Sequence, residues 1–166
     1  MGRPSDGRKG MNVEELKQAS VKLMETAQAA YVTTIGPGGY PYTRAMFNLR
    51  NKEQFPGQVQ LFAEHRDDLM VLFSTNTSSQ KLGQIKVDPR VSVYYCNPGQ
   101  FHGLMLSGDI EVVDDSALRQ ALWNEGWERY YPGGPDDPDH TVLCLRPKRV
   151  MGWYKASRFE FGIGDA

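Results

Sequence analysis

Residues Tyr31 to Ile35, β-branched and aromatic, run into Gly36-Pro37-Gly38-Gly39 and return as the alternating segment Tyr40 to Arg50. Two strand-like runs joined by four turn residues predict an antiparallel hairpin, and no other reading of the segment is as simple. More strands follow at short intervals: Asp68 to Ser74, Arg90 to Cys96, His102 to Val113, Thr141 to Leu145 and Arg149 to Tyr154. Gly108 interrupts the longest of them, as expected of a bulge or a close approach of backbone.

Helices are marginal by comparison. Asn12 with Glu15 forms a capping-box pattern, and Val13, Leu16, Leu23, Met24 and Ala27 then share one helical face to about residue 29. Thr77 with Gln80 repeats the pattern for a helix beginning at Ser78 and stopping at Asp88-Pro89. Asp115 caps a third, with Leu118, Leu122 and Trp123 inward. Residues 51–68 are harder to read, with a short helix favoured around Phe55 to His65. The pattern is mainly β, six or seven antiparallel strands without a βαβ alternation. A closed or split barrel is the natural way to remove the exposed edges. Residues 1–11 read as a disordered tail, and 12–166 as one domain.

Composition narrows the function classes. A formal net charge of −1 over 166 residues gives no field for grasping nucleic acid or anionic lipid. No apolar run approaches the ~20 residues that cross a bilayer, and nothing resembles a signal peptide, so a soluble cytoplasmic protein is expected. Cys96 and Cys144 lie in apolar runs and read as buried thiols.

Two segments carry chemistry. Ser74-Thr75-Asn76-Thr77-Ser78-Ser79-Gln80-Lys81 leaves a strand and opens a helix, bringing hydroxyls, unpaired N–H groups and an ammonium to one point. Such a point suits a phosphate, although these residues alone read more simply as an ordinary capped helix with a solvated lysine. In Tyr40 to Arg50, Tyr42, Arg44, Met46 and Asn48 share one face, and Thr43, Ala45, Phe47 and Leu49 the other. A mid-strand arginine either has an anionic partner or sits on a water-facing side.

Other chemistries find less support. His140 and Cys144 are four apart, about 13 Å along a strand, too far to share a zinc ion. Ser107-Gly108-Asp109 lacks the frame of a nucleophile elbow, and Gly36 to Gly39 is a turn with no helix behind it. Asp136-Asp137-Pro138-Asp139 lacks calcium-loop spacing. Trp123, Trp127, Tyr130 and Tyr131, close to helical spacing, read as core before they read as a ligand wall.

Taken together, "PYTRAMFNLR", "STNTSSQKLGQI" and "DPRVSVYY", with "LMLSGDIEVVDD", "LWNEGWERYYPGG" and "DDPDHTVLCLRPKRV", resemble the flavin-binding split barrels related to pyridoxamine 5'-phosphate oxidase, in the general stress protein 26-like branch. The resemblance runs from about Ala30 to Trp153. It implies an FMN-binding split barrel, a homodimer with flavin at the interface, and flavin redox chemistry. Arg44 would contact the phosphate, and Ala45, Met46, Phe47 and Asn48 would run along the flavin. Ser74 and Thr75 would approach the ring or its tail. Ser79 and Lys81 match the serine and lysine of the family's Ser-Arg-Lys clamp, in which Gln80 replaces the arginine. Trp153 would reach the flavin from the partner subunit. FAD in place of FMN is left open, as are a non-catalytic flavin carrier and a deazaflavin or haem in the same barrel.

The departures count too. The oxidase's C-terminal Arg-x-His is absent from Lys155-Ala156-Ser157-Arg158-Phe159-Glu160-Phe161, which argues against pyridoxamine phosphate as substrate. Gly103 stands where the oxidase has a glutamine near the flavin.

Overall fold

The computed structural model describes residues 11–164, so the tail expected at 1–11 falls outside it except for Met11. Helix α1, Val13–Met24, opens with the reciprocal Asn12–Glu15 capping box and turns Leu16, Val21, Leu23 and Met24 inward. Strands β1 (Ala29–Ile35) and β2 (Pro41–Phe47) form the hairpin, joined by a 3-10 turn at Pro37–Gly39. A 3-10 helix, Pro56–Phe62, leads to β3 (Val71–Asn76), then α2 (Gln80–Val87), β4 (Arg90–Asn97) and β5 (His102–Val113). Helix α3 (Ser116–Leu122), capped by Asp115, precedes β6 (His140–Leu145), β7 (Arg149–Tyr154) and β8 (Ser157–Gly162).

All pairings are antiparallel, and the eight-stranded sheet runs β2-β1-β4-β5-β6-β3, with β7 and β8 branching from β5. The branch follows from the length of β5. Gly103 to Ser107 pair with β7, and Ile110 to Val113 pair with β6, so one strand serves two sheets. At the changeover a Cβ on Gly108 would lie 3.1 Å from the Arg146 carbonyl oxygen, the close approach that residue allows.

Two strand readings change. β2 ends at Phe47, because Asn48, Leu49 and Arg50 turn inward and are all buried. The sheet has eight strands, not six or seven, since β7 and β8 form a two-residue hairpin at Lys155 and Ala156, with φ of 48° and 60°. Such turns favour Asn-Gly, and Lys-Ala gives no signal for one. The start of α2 is also corrected. Ser79, not Thr77, is its N-cap, and the Thr77 hydroxyl is taken by Thr141 Oγ1 at 2.6 Å and the Pro138 carbonyl at 3.0 Å.

Alternation along β3 and β6 separates two cores. Val71, Phe73, Leu143 and Leu145 face the barrel interior, packed with Val32, Val93, Leu104 and Leu106. Leu72, Val142 and Cys144 face a second cluster with Phe55, Leu122, Trp127 and Tyr131. With both faces covered, β6 is buried at every residue. Among the described residues no helix is long and apolar enough to cross a membrane.

Candidate functional site

Strands β2 and β3 end the hydrogen-bonded path on either side and share no ladder. A cavity of about 540 Å³ occupies the gap between them, lined by Arg44, Ala45, Met46 and Phe47 from β2 and by Ser74, Thr75 and Asn76 from β3. Lys81, Trp127, Tyr130 and Tyr131 also line it. Its size falls within the ~300–1,000 Å³ of small-molecule sites. An unpaired strand edge also offers backbone donors and acceptors to a flat ligand.

Arg44 is partly buried. Its Nη1 donates to Thr34 Oγ1 at 2.7 Å and its Nη2 to Gln84 Oε1 at 3.1 Å. Lys81 Nζ donates to Thr75 Oγ1 at 2.7 Å. Every one of these partners is neutral. Among the described residues neither cation makes an ion pair with a carboxylate. Burial lowers the pKa of both groups, and the Arg44 charge lowers that of Lys81 further. Two uncompensated cations that feel each other across a cavity make a receptor for an anion.

The start of α2 adds to it. Gln80 and Lys81 occupy the first helical positions, whose N–H groups have no intrahelical partner. The Ser79 hydroxyl oxygen is buried without a hydrogen-bond partner, as is Gln84 Nε2. Neither residue lines the cavity.

The residues singled out from sequence separate here. Arg44, Ala45, Met46, Phe47, Ser74, Thr75 and Lys81 come together at the cavity. Asn48 does not: it is 1% exposed, and its Nδ2 donates to the Met24 and Ala27 carbonyls at 2.7 and 2.8 Å. Its side chain ties α1 to the end of β2, which leaves only its backbone for the contact that the resemblance implies. Ser79 and Gln80 stand beside the cavity at the helix start and do not line it. Trp153 lies on β7, 55% exposed, outside this chain's own cavity. A side chain at Gly103 would have to displace the Tyr94 hydroxyl, which lies over that position.

The sequence favours core over ligand wall for these aromatics, and the structure gives Trp127 and Tyr131 both places. Trp127 starts a 3-10 turn, not a helix, and its ring stacks on Phe47 at 6.1 Å and 15°. It packs in the second core and lines the cavity at once, as does Tyr131. The density of aromatics ahead of Pro132-Gly133-Gly134 was the available signal.

Outside the cavity, register aligns an apolar row on the exposed face. Ala45 pairs with Tyr31, Tyr31 with Tyr94, Tyr94 with Met105, and Met105 with Met151. Tyr31 and Tyr94 are 40% and 43% exposed, unusual for rings in mid-sheet.

A family model described as pyridoxamine 5'-phosphate oxidase matches residues 16–154. Protein bli-3 of Neurospora crassa is 28% identical over 107 residues, 60% of this chain, and the chain spans about half the length of that curated relative. A solved structure from Clostridium acetobutylicum, a protein related to general stress protein 26 of B. subtilis (pyridoxinephosphate oxidase family), is 30% identical with a TM-score of 0.69, over 90% of this chain and 96% of that one. Two more share the fold. An F420 reductase has 24% identity and a TM-score of 0.53, over 78% of this chain and 93% of its own. A heme binding protein from Mycobacterium smegmatis has 15% and 0.62, over 98% and 60%.

Proposed function

The chain belongs to the pyridoxamine 5'-phosphate oxidase family, and from that premise we propose that it binds FMN in the gap between β2 and β3 and passes electrons through it. The observation that carries this reading is the pair Arg44 and Lys81, both half-buried and both without a carboxylate, on one cavity. FMN, when bound, supplies two-electron chemistry. The protein supplies charge compensation, orientation and exclusion of water. Arg44, Lys81, Thr75 and the first N–H groups of α2 hold the phosphate; the free edge of β2 from Ala45 to Phe47 meets the rim of the ring system; Phe47 and Trp127 border its face.

The apolar row Tyr31, Tyr94, Met105 and Met151 adjoins the cavity through Ala45, and it supports a homodimer with two such sites at the interface. Trp153 on the same sheet then serves the partner's cavity. Pyridoxamine phosphate is not assigned as the substrate, since the residues of β8 include no histidine. Haem has less support than flavin. No histidine lines the cavity, and the nearest, His140, has both ring nitrogens engaged, by Ser74 and by the Pro135 carbonyl. A deazaflavin or FAD would use the same cations, and a flavin carrier without turnover would share the whole site. The two free thiols agree with a reducing, cytoplasmic location.

The test is the absorbance of the untreated protein. A flavin spectrum that bleaches with NADH or NADPH and recovers in air supports an oxidoreductase, and one inert to both supports a carrier. Colourless protein that ignores added FMN, F420 and haem rejects the cofactor reading.

A further inference from the structure

On the face of β3 opposite Thr75 and Lys81, Ser74 Oγ lies 2.8 Å from His140 Nε2. The other ring nitrogen, His140 Nδ1, lies 2.7 Å from the Pro135 carbonyl oxygen. A carbonyl can only accept, so Nδ1 carries a hydrogen whether the ring is neutral or charged. That pins the tautomer. In the neutral ring Nε2 is a lone pair, and the Ser74 hydroxyl donates to it. In the charged ring Nε2–H donates to Ser74 Oγ, and the serine hydrogen must turn elsewhere. Tyr131 Oη, 3.5 Å away, and the cavity that Ser74 lines are the directions left.

We propose that Ser74 is a ligand-contacting hydroxyl whose sense toward the cavity, donor or acceptor, is set by His140 as a positioning residue. The inference rests on the reading of the cavity as a flavin site. With His140 charged, Ser74 offers a hydrogen to the carbonyl and imine acceptors on the edge of an oxidised isoalloxazine. With His140 neutral, Ser74 offers lone pairs, and those same acceptors lose a partner.

The surroundings leave the switch to these two side chains. Tyr131 and Trp123 face the imidazole with ring centroids at 4.5 and 5.8 Å. On its own loop, Asp137 is taken by the Gly133 and Asp139 amides, and Asp139 by Asn76 and Ser78. Asp136 is taken by Ser116, Gln120 and Arg119, the charged group nearby on α3. From β3 and α2, Lys81 is held on the far face by Thr75. Tyr130 packs on Tyr131 and stands at the cavity wall.

Riboflavin is the probe, because it carries no phosphate to titrate and needs neither Arg44 nor Lys81 for charge. Its dissociation constant is measured by fluorescence between about pH 5 and 8, the window in which imidazoles titrate. The expected result for the wild-type protein is binding about tenfold tighter at the acid end, the worth of one hydrogen bond made in place of one lost. By reciprocity, saturating riboflavin must then favour the charged form of His140, read from the ring's NMR signals. Ser74→Ala and His140→Gln should bind with no pH dependence, and Ser74→Thr should restore it. The NMR arm needs no variant, so a misfolded His140→Gln leaves the test intact. Equal affinity across the range, or a pH dependence that survives in Ser74→Ala, overturns the proposal. If riboflavin binds at no pH, the NMR arm is run with FMN, and an imidazole signal that FMN leaves unchanged overturns the proposal; if neither binds, the flavin reading of the cavity falls, and this proposal with it.

Discussion

The amide oxygen of Gln84 accepts from the guanidinium of Arg44 at 3.1 Å, joining α2 to β2 across forty positions of sequence. It also accepts from Thr34 at 2.6 Å, so one neutral oxygen orients the arginine without cancelling its charge. Gln84→Glu would cancel it. That variant should fold with a Tm no lower than wild type and bind FMN at least about tenfold more weakly, by fluorescence titration. Undiminished FMN affinity would show that Arg44 does not serve the phosphate.

Arg44→Ala and Lys81→Ala remove the two cations one at a time. Each should weaken FMN by about 1.5–3 kcal/mol, the range for hydrogen bonds to charged groups. Riboflavin should be far less sensitive to either, which isolates the phosphate from the ring.

Lys81 also gives a pH dependence whose sign can be worked out. Burial first, then Arg44, hold its ammonium below the ordinary 10.5. Between that lowered value and 10.5 the unfolded chain binds the proton more tightly than the folded one. Stability of the ligand-free protein therefore rises with pH across that window. FMN affinity runs the other way, falling as the same proton leaves. Denaturant melts and FMN titrations from about pH 7 to 10 check both slopes, and Lys81→Met should flatten both.

The apolar row across the exposed sheet bears on assembly. Tyr94→Asp or Met151→Asp should turn a dimer into a monomer in sedimentation and lower FMN affinity together, because Trp153 would no longer reach a neighbouring cavity. A wild-type protein that sediments as a monomer when loaded with FMN would rule out the shared site.

The β7–β8 turn carries strain that can be relieved. Lys155 and Ala156 both hold positive φ, which costs a side-chain-bearing residue roughly 1–2 kcal/mol. Lys155→Asn with Ala156→Gly should stabilise the protein by about 1 kcal/mol or more in denaturant melts. FMN affinity should stay unchanged, since neither residue lines the cavity.

That turn also marks where the sequence stops being legible. The strand His102–Val113 was readable to the residue, and the glycine-marked hairpin in kind, with its outer ends two and three residues away from where the sequence put them. The meeting of Arg44 and Lys81 at one cavity was readable because a mid-strand arginine and a lysine at a helix start are each conspicuous. Asn48 was not, since inside a strand its side chain would have shared Arg44's face. The strand in fact ends one residue earlier, and the amide serves the backbone of α1. Trp127 and Tyr131 were assigned to the core by spacing, which was half the truth. They fill a second core and form a cavity wall with the same rings. The Ser74–His140 pair, sixty-six positions apart, had no local signature at all.

The missing ladder between β2 and β3 sets a trade that selection for robustness would expose. Side chains that bridged those two margins would yield a sturdier apoprotein, and each added contact would fill the seam proposed for the flavin. On that proposal a lineage kept for its ligand must tolerate an open seam, and heat-selected variants that no longer bind FMN should carry their changes along it.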